Sequence, residues 1–198
     1  LFRSSHKLCG PGGAGALWGR RELLADLARV PDDAAWLLEQ SAELFRPAAA
    51  GLASARAIAV TGRGYTYPTA IELALKIEET CLLPCLGLSQ ADLQHGPQAV
   101  FDAVTPLVVA SAASGPTLPG LLTVAQAARE RGAPLVAIGG PQRLRDLADW
   151  ALPGSRLSEP VGPITQIIPG QLLAESLATE LGHDPDTPPG LSKVTRTA

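Results

Sequence analysis

The chain has 198 residues, 46% of them hydrophobic and 18% charged, with a formal net charge of −3. That is enough apolar material for one sizeable buried core, and the composition excludes a disordered chain. No run of Lys or Arg exceeds two residues, so the electrostatic footprint of a nucleic-acid binder is missing, and no apolar stretch approaches the ~18 residues of a membrane span.

Residues 1–19 are Gly-rich and lack periodicity, which predicts a disordered or tag-like arm. Gly10, Gly12 and Gly15 make a formal G-x-G-x-x-G match, but that motif needs a strand before it and a helix after it. LFRSSHKLC is a poor strand, so the match is read as chance. The chain contains no Met, even at position 1, which fits a processed or incomplete start. The N-terminus has no hydrophobic signal core and the three cysteines are odd in number, which predicts a reducing, cytoplasmic setting. Cys81 and Cys85 are spaced C-x3-C without a second pair to complete a zinc set, and read as buried thiols; no metal and no cofactor is expected.

Residues 20–53 carry apolar residues three and four apart, such as Leu23, Leu24, Leu27 and then Trp36, Leu37, Leu44. The pattern predicts two helices packing on a sheet or a partner. Pro31 with Asp32 and Asp33 marks a helix start, since acids suit the positive end of the helix dipole. Pro47 is expected to bend or end the second helix.

From residue 54 to 183 strand and helix patterns alternate. Strands are predicted at Arg56–Thr61, Pro84–Leu88, Thr105–Ser111, Pro134–Gly139 and, as an edge strand, Trp150–Pro153. Helices are predicted from about Pro68, at Gln90–Gln94, Leu118–Arg131 and Arg143–Leu147, and at Pro163–Leu181 with a kink at Pro169-Gly170. The strands lack polar–apolar alternation, as in a parallel sheet covered on both faces. The fold class is therefore α/β: a doubly wound, mostly parallel sheet of about five strands with N-terminal helices. Residues 184–198 form a Pro-rich linker and tail.

Several residues are of types that carry chemistry. The turn Gly62-Arg63-Gly64-Tyr65-Thr66 lies between a strand and a helix, so its amides can face an anion; it reads equally as a tight turn with no ligand. On the following helix Glu72, Lys76 and Glu79 form one polar line at i, i+4 and i+7 among apolar neighbours. By spacing alone, solvated ion pairs account for that line. His95 sits in a His-Gly-Pro turn, and Ser192 and Lys193 lie on the tail.

The runs GRGYTYPTAIELALKIEET, ADLQHGPQAVFD, IPGQLLAESLATELGHDPDTP and GLSKVTRT resemble, in order, the sugar-isomerase (SIS) domain family. The likeness is to the second lobe of the isomerase portion of glutamine–fructose-6-phosphate transaminases and two-lobe glucosamine-6-phosphate deaminases, and covers about residues 20–198. The resemblance implies a flavodoxin-like SIS fold and a site for a phosphorylated hexose or amino sugar. It implies that Glu79 shuttles a proton between C1 and C2 with Lys76 beside it, and that His95 assists ring opening from a neighbouring subunit of a homodimer. Lys193, next to Ser192, contacts the open sugar and can form a Schiff base as the tail closes. Gly62, Arg63, Gly64 and Thr66 match the substrate-binding turn, although the Ser/Thr-rich phosphate loop of the family's first lobe is missing. Two expectations follow: isomerisation or deamination of a hexose 6-phosphate, with Glu79 and Lys193 meeting at the mouth of the sheet, or a non-catalytic phosphosugar sensor or truncated relic lacking the first lobe. A sugar-sensing transcription regulator fits poorly, because residues 20–53 are not a basic helix-turn-helix.

Overall fold

The computed structural model describes residues 2–4, 15–17 and 20–187. The first element is a two-stranded antiparallel ribbon, β1 (Phe2–Ser4) with β2 (Gly15–Leu17). This differs from the wholly irregular arm expected there. Three-residue strands carry no hydrophobic period of their own, so only their pairing with each other defines them.

Three helices follow where two were expected: α1 (Arg21–Leu27), α2 (Val30–Leu38) and α3 (Ala42–Leu52). Ser41 caps α3, its hydroxyl accepting from the amide of Glu43 at 3.2 Å. Pro47 lies inside α3 and does not end it. The loss of one ladder bond is offset by Phe45, Ala48, Ala49 and Leu52, all wholly buried.

The main sheet consists of β3 (Ile58–Gly62), β4 (Cys85–Ser89), β5 (Leu107–Ser111), β6 (Leu135–Gly139) and β7 (Trp150–Leu152). Its five strands run in the order β4-β3-β5-β6-β7 and every pair is parallel. All residues of β3, β5 and β6 are buried, which explains their unbroken apolar pattern. The connecting helices are α4 (Tyr67–Cys81), α5 (Gln90–Gln94), α6 (Leu118–Glu130), α7 (Gln142–Arg145) and α8 (Pro163–Glu180). Helices α2, α4, α6 and α8 each place a proline in the first two positions, where the missing amide costs nothing.

Two cores sandwich the sheet. On one face α3, α4 and α8 bury Phe45, Leu52, Leu73, Ile77, Leu173 and Leu177. On the other, α5, α6 and α7 bury Leu93, Leu121, Val124 and Leu144. The α4–α8 contact needs a small residue: a methyl group on Gly170 would stand 3.3 Å from the Leu73 methyls. Helix α8 runs through Pro169 and Gly170 without interruption.

Candidate functional site

The polar line of α4 is built as its spacing predicts. Thr69, Ala70, Leu73, Ala74, Ile77 and Cys81 are buried; Glu72, Lys76 and Glu79 are half-buried beside them, and the exposed side of the helix carries Glu78 and two of the line's apolar neighbours, Ile71 and Leu75. Lys76 Nζ donates to Glu79 Oε2 and lies 3.9 Å from Glu72 Oε1. The Lys76 and Glu79 side chains are only 30% and 32% exposed, more shielded than a freely solvated surface pair.

Beside them is a groove of about 330 Å³ between α4 and α8, with Lys76 and Thr80 on one wall, Ile168 and Leu172 on the other, and Pro185 and Asp186 at its rim. Its size falls within the range of small-ligand pockets. The chain thus passes Lys76 just before the tail. Thr187, the last described residue, precedes Lys193 by six positions, a reach of at most about 20 Å of extended chain. Lys193 and Ser192 themselves lie outside the described residues.

Glu79 is not at the mouth of the sheet. A crossover helix runs antiparallel to its strands, so the last turn of α4 lies near the amino end of β4, where the amide of Cys85 donates to Glu78 Oε1 at 3.4 Å. His95 is elsewhere again. It is exposed and ends α5, which leaves the carboxyl end of β4 and buries Leu93 in the opposite core. Glu79 and His95 therefore belong to helices on different faces of the sheet.

At the mouth, the turn after β3 is held by its own atoms. Thr66 Oγ1 donates to the Arg63 carbonyl and accepts from the Arg63 amide, both at 3.1 Å. A methyl on Gly62 would stand 2.4 Å from the Thr66 carbonyl oxygen, so the glycine is required by the turn itself. Gly64 has φ +59°. Two groups expected to face an anion, the Arg63 amide and the Thr66 hydroxyl, are thus used within the turn.

Sequence reasoning passed over three features here. The loop after β5, Ser111-Ala112-Ala113-Ser114-Gly115-Pro116-Thr117, sets hydroxyl residues and a glycine directly after a strong strand, which was the available signal. Gln166, 2% exposed, closes the carboxyl ends of β5 and β6: its Nε2 donates to the carbonyls of Ser111 (3.3 Å) and Ile138 (2.9 Å), and its Oε1 accepts from the Ser155 amide at 2.6 Å. Asp33, also 2% exposed, accepts from Thr165 Oγ1 (2.6 Å), Ser155 Oγ (2.9 Å) and the Arg156 amide and Nε (both 3.1 Å). The Arg156 guanidinium also stacks 4.0 Å over Trp36. Burial pushes the Asp33 carboxyl up, but the hydroxyls of Thr165 and Ser155 and the two Arg156 donors outweigh it and hold it below the ordinary carboxylate value. The expected dipole role of Asp33 is joined by a larger one: it clamps α2 to the loop before α8.

Residues 51–143 match the family model described as SIS domain. A glutamine–fructose-6-phosphate aminotransferase (isomerizing) of Pyrococcus horikoshii is 41% identical over 132 residues, covering 67% of this chain and 22% of that protein. The Chlorobaculum tepidum protein of the same name is 34% identical over 172 residues, covering 86% of this chain and 28% of its own length. Among solved structures, the C-terminal domain of glucosamine-fructose-6-phosphate aminotransferase from Francisella tularensis superposes with a TM-score of 0.69 at 24% identity, over 82% of this chain and 45% of that one. The chain thus spans less than a third of the length of these curated relatives.

Proposed function

With residues 51–143 a SIS domain, we propose that this chain is the proton-transferring lobe of a phosphosugar site, acting on an amino- or keto-hexose 6-phosphate. The observation that carries the reading is the shielded Lys76–Glu79 pair beside a groove at which the tail begins. Glu79, as a carboxylate, takes the proton from C1 or C2 of the open sugar and returns it to the neighbouring carbon through an enediol-type intermediate, the work of a positioned general base. Lys76 holds that carboxylate in place. Lys193 approaches on the tail with Ser192 and meets the sugar carbonyl as an amine, the tail excluding water as it closes. His95 is supplied by a second copy, in keeping with its place on the other face of the sheet. The substrate phosphate is gripped outside the Gly62–Thr66 turn, whose role is to frame the start of α4.

The test is exchange of solvent deuterium into C1 and C2 of fructose 6-phosphate or glucosamine 6-phosphate. The reading expects exchange by the chain and its loss in Glu79→Gln; no exchange at millimolar substrate, or exchange unchanged in the variant, overturns it. A second reading, a phosphosugar sensor or relic without turnover, is favoured by the separation of His95 from Glu79 within one chain. Thermal stabilisation by sugar phosphates without exchange marks the sensor, and silence marks the relic.

A further inference from the structure

Past the carboxyl ends of β6 and β7 lies a crevice of about 420 Å³, walled by Trp36 of α2, Leu44 of α3 and Pro153, and bounded by Arg145 and Arg156. It stands off the β3–β5 pair at which strand order reverses, and its volume is that of a small-ligand site. Part of its lining is bare backbone, since a methyl on Gly154 would stand 2.4 Å from Gly139 Cα.

Each arginine is fixed by one side of its guanidinium. Arg145 ends α7, and its Nη1 donates to the Leu152 carbonyl at 3.1 Å. Arg156 is held at Nε by Asp33 Oδ1, also at 3.1 Å, and lies over the Trp36 ring. A guanidinium carries five N–H donors, and among the described residues these are the only side-chain hydrogen bonds that either arginine donates. Arg145 enters none of the ion pairs formed there, and no Asp or Glu lines the crevice. The charge of Arg145 is thus left uncompensated between largely apolar walls, where its field is concentrated.

An anion is the complement of such a crevice. The free donors suit a carboxylate, whose two oxygens accept about four hydrogen bonds and match the guanidinium fork. Trp36, Leu44 and Pro153 suit an apolar body behind that head. We infer that the β6–β7 edge carries a site for an organic carboxylate with an aromatic or aliphatic body, its head on Arg145 and Arg156 and its body against Leu44 and Pro153. Glu79 stands at the amino end of the sheet, so the site does not depend on its role.

The test is a titration of the full chain with 3-phenylpropionate, followed by proton–nitrogen NMR at the Trp36 indole and the Gly140 amide. Both signals are expected to shift saturably. Arg145→Gln should weaken binding by about tenfold or more, the worth of one hydrogen bond to a charged group. Leu44→Glu should weaken it comparably by placing a like charge at the wall, on a side chain that is already 42% exposed. Thermal melts establish which variants fold. The neutral alcohol 3-phenylpropanol and the bodiless anion acetate are each expected to bind more weakly than 3-phenylpropionate. The absence of a saturable shift overturns the inference, as does an unaltered affinity in either folded variant. A match by the alcohol or by acetate would remove the head or the body from the recognition and overturns it too. So does fructose 6-phosphate, if it shifts the same two signals at lower concentration, since the crevice would then be a sugar-phosphate site.

Discussion

His95 and Glu79 stand on opposite faces of one parallel sheet, His95 ending a helix packed in the core of α6 and Glu79 in the last turn of the helix packed against α8. A site needing both must draw them from two chains. Mixing His95→Ala protein with Glu79→Gln protein is therefore expected to restore activity to about a quarter of the unaltered rate, the share of intact sites after random exchange in a symmetric dimer. Two inactive variants that stay inactive when mixed and exchanged would remove the shared site.

The Lys76–Glu79 pair separates chemistry from stability. Glu79→Gln is expected to lower proton exchange by about 10²–10⁴-fold, the usual loss when a general base is removed. Because both side chains are about a third exposed, the same change and Lys76→Met should each alter unfolding free energy by less than about 1 kcal/mol. Urea melts and exchange rates on the same samples check this. A large stability loss in either variant would make the pair a structural element.

Gly62→Ala distinguishes a glycine required by packing from one required by a ligand. Its methyl would overlap the Thr66 carbonyl oxygen, backbone against backbone, at 2.4 Å, so the turn must shift. A destabilisation of about 1–3 kcal/mol is expected without any ligand present. Stability unchanged in a thermal melt, with sugar-phosphate binding lost, would return this turn to the role of an anion cradle.

Much of this architecture could be read from the sequence because its signals are local. The apolar runs at β5 and β6, the Gly-Pro stop after His95 and the polar line on α4 each lie within one element, and each stands where expected. What escaped reading depends on distant partners. Asp33 looked like a helix-start acid because its four donors come from residues 155–165. Gln166 is a polar residue in a largely apolar helix, and only the carbonyls of β5 and β6, distant in sequence, give it its role. The expected meeting point at the mouth of the sheet failed for a related reason: which end of a crossover helix a residue reaches depends on helix length, and α4 carries Glu79 back to the amino edge.

The thiols of Cys81 and Cys85 are buried and free, and burial is the first cause raising both above the ordinary thiol value. Since the thiolate is the reactive form, alkylation at both sites should be slow in the folded chain at pH 8 and fast in denaturant. Peptide mapping after a timed iodoacetamide pulse reads this directly. Rapid native labelling of Cys85 would contradict its burial.

The sharpest stability prediction concerns Asp33. Asp33→Ala leaves the buried Thr165 hydroxyl, the half-buried Ser155 hydroxyl and the Arg156 donors without their acceptor; because the Arg156 side chain is half exposed and can turn to water, a loss of about 1–3 kcal/mol is expected. The folded chain holds this carboxyl below its ordinary value, so the unfolded chain takes up the proton first as acid is added. The stabilisation is then complete above about pH 4, the unfolded value, and declines as pH falls through the lower folded value. Asp33→Asn should be less stable than the unaltered chain at pH 7, and the gap should narrow on acidification. Urea melts at pH 7, 5 and 3.5 measure it, and a gap that stays constant across that range would mean the charge on Asp33 contributes nothing to the clamp.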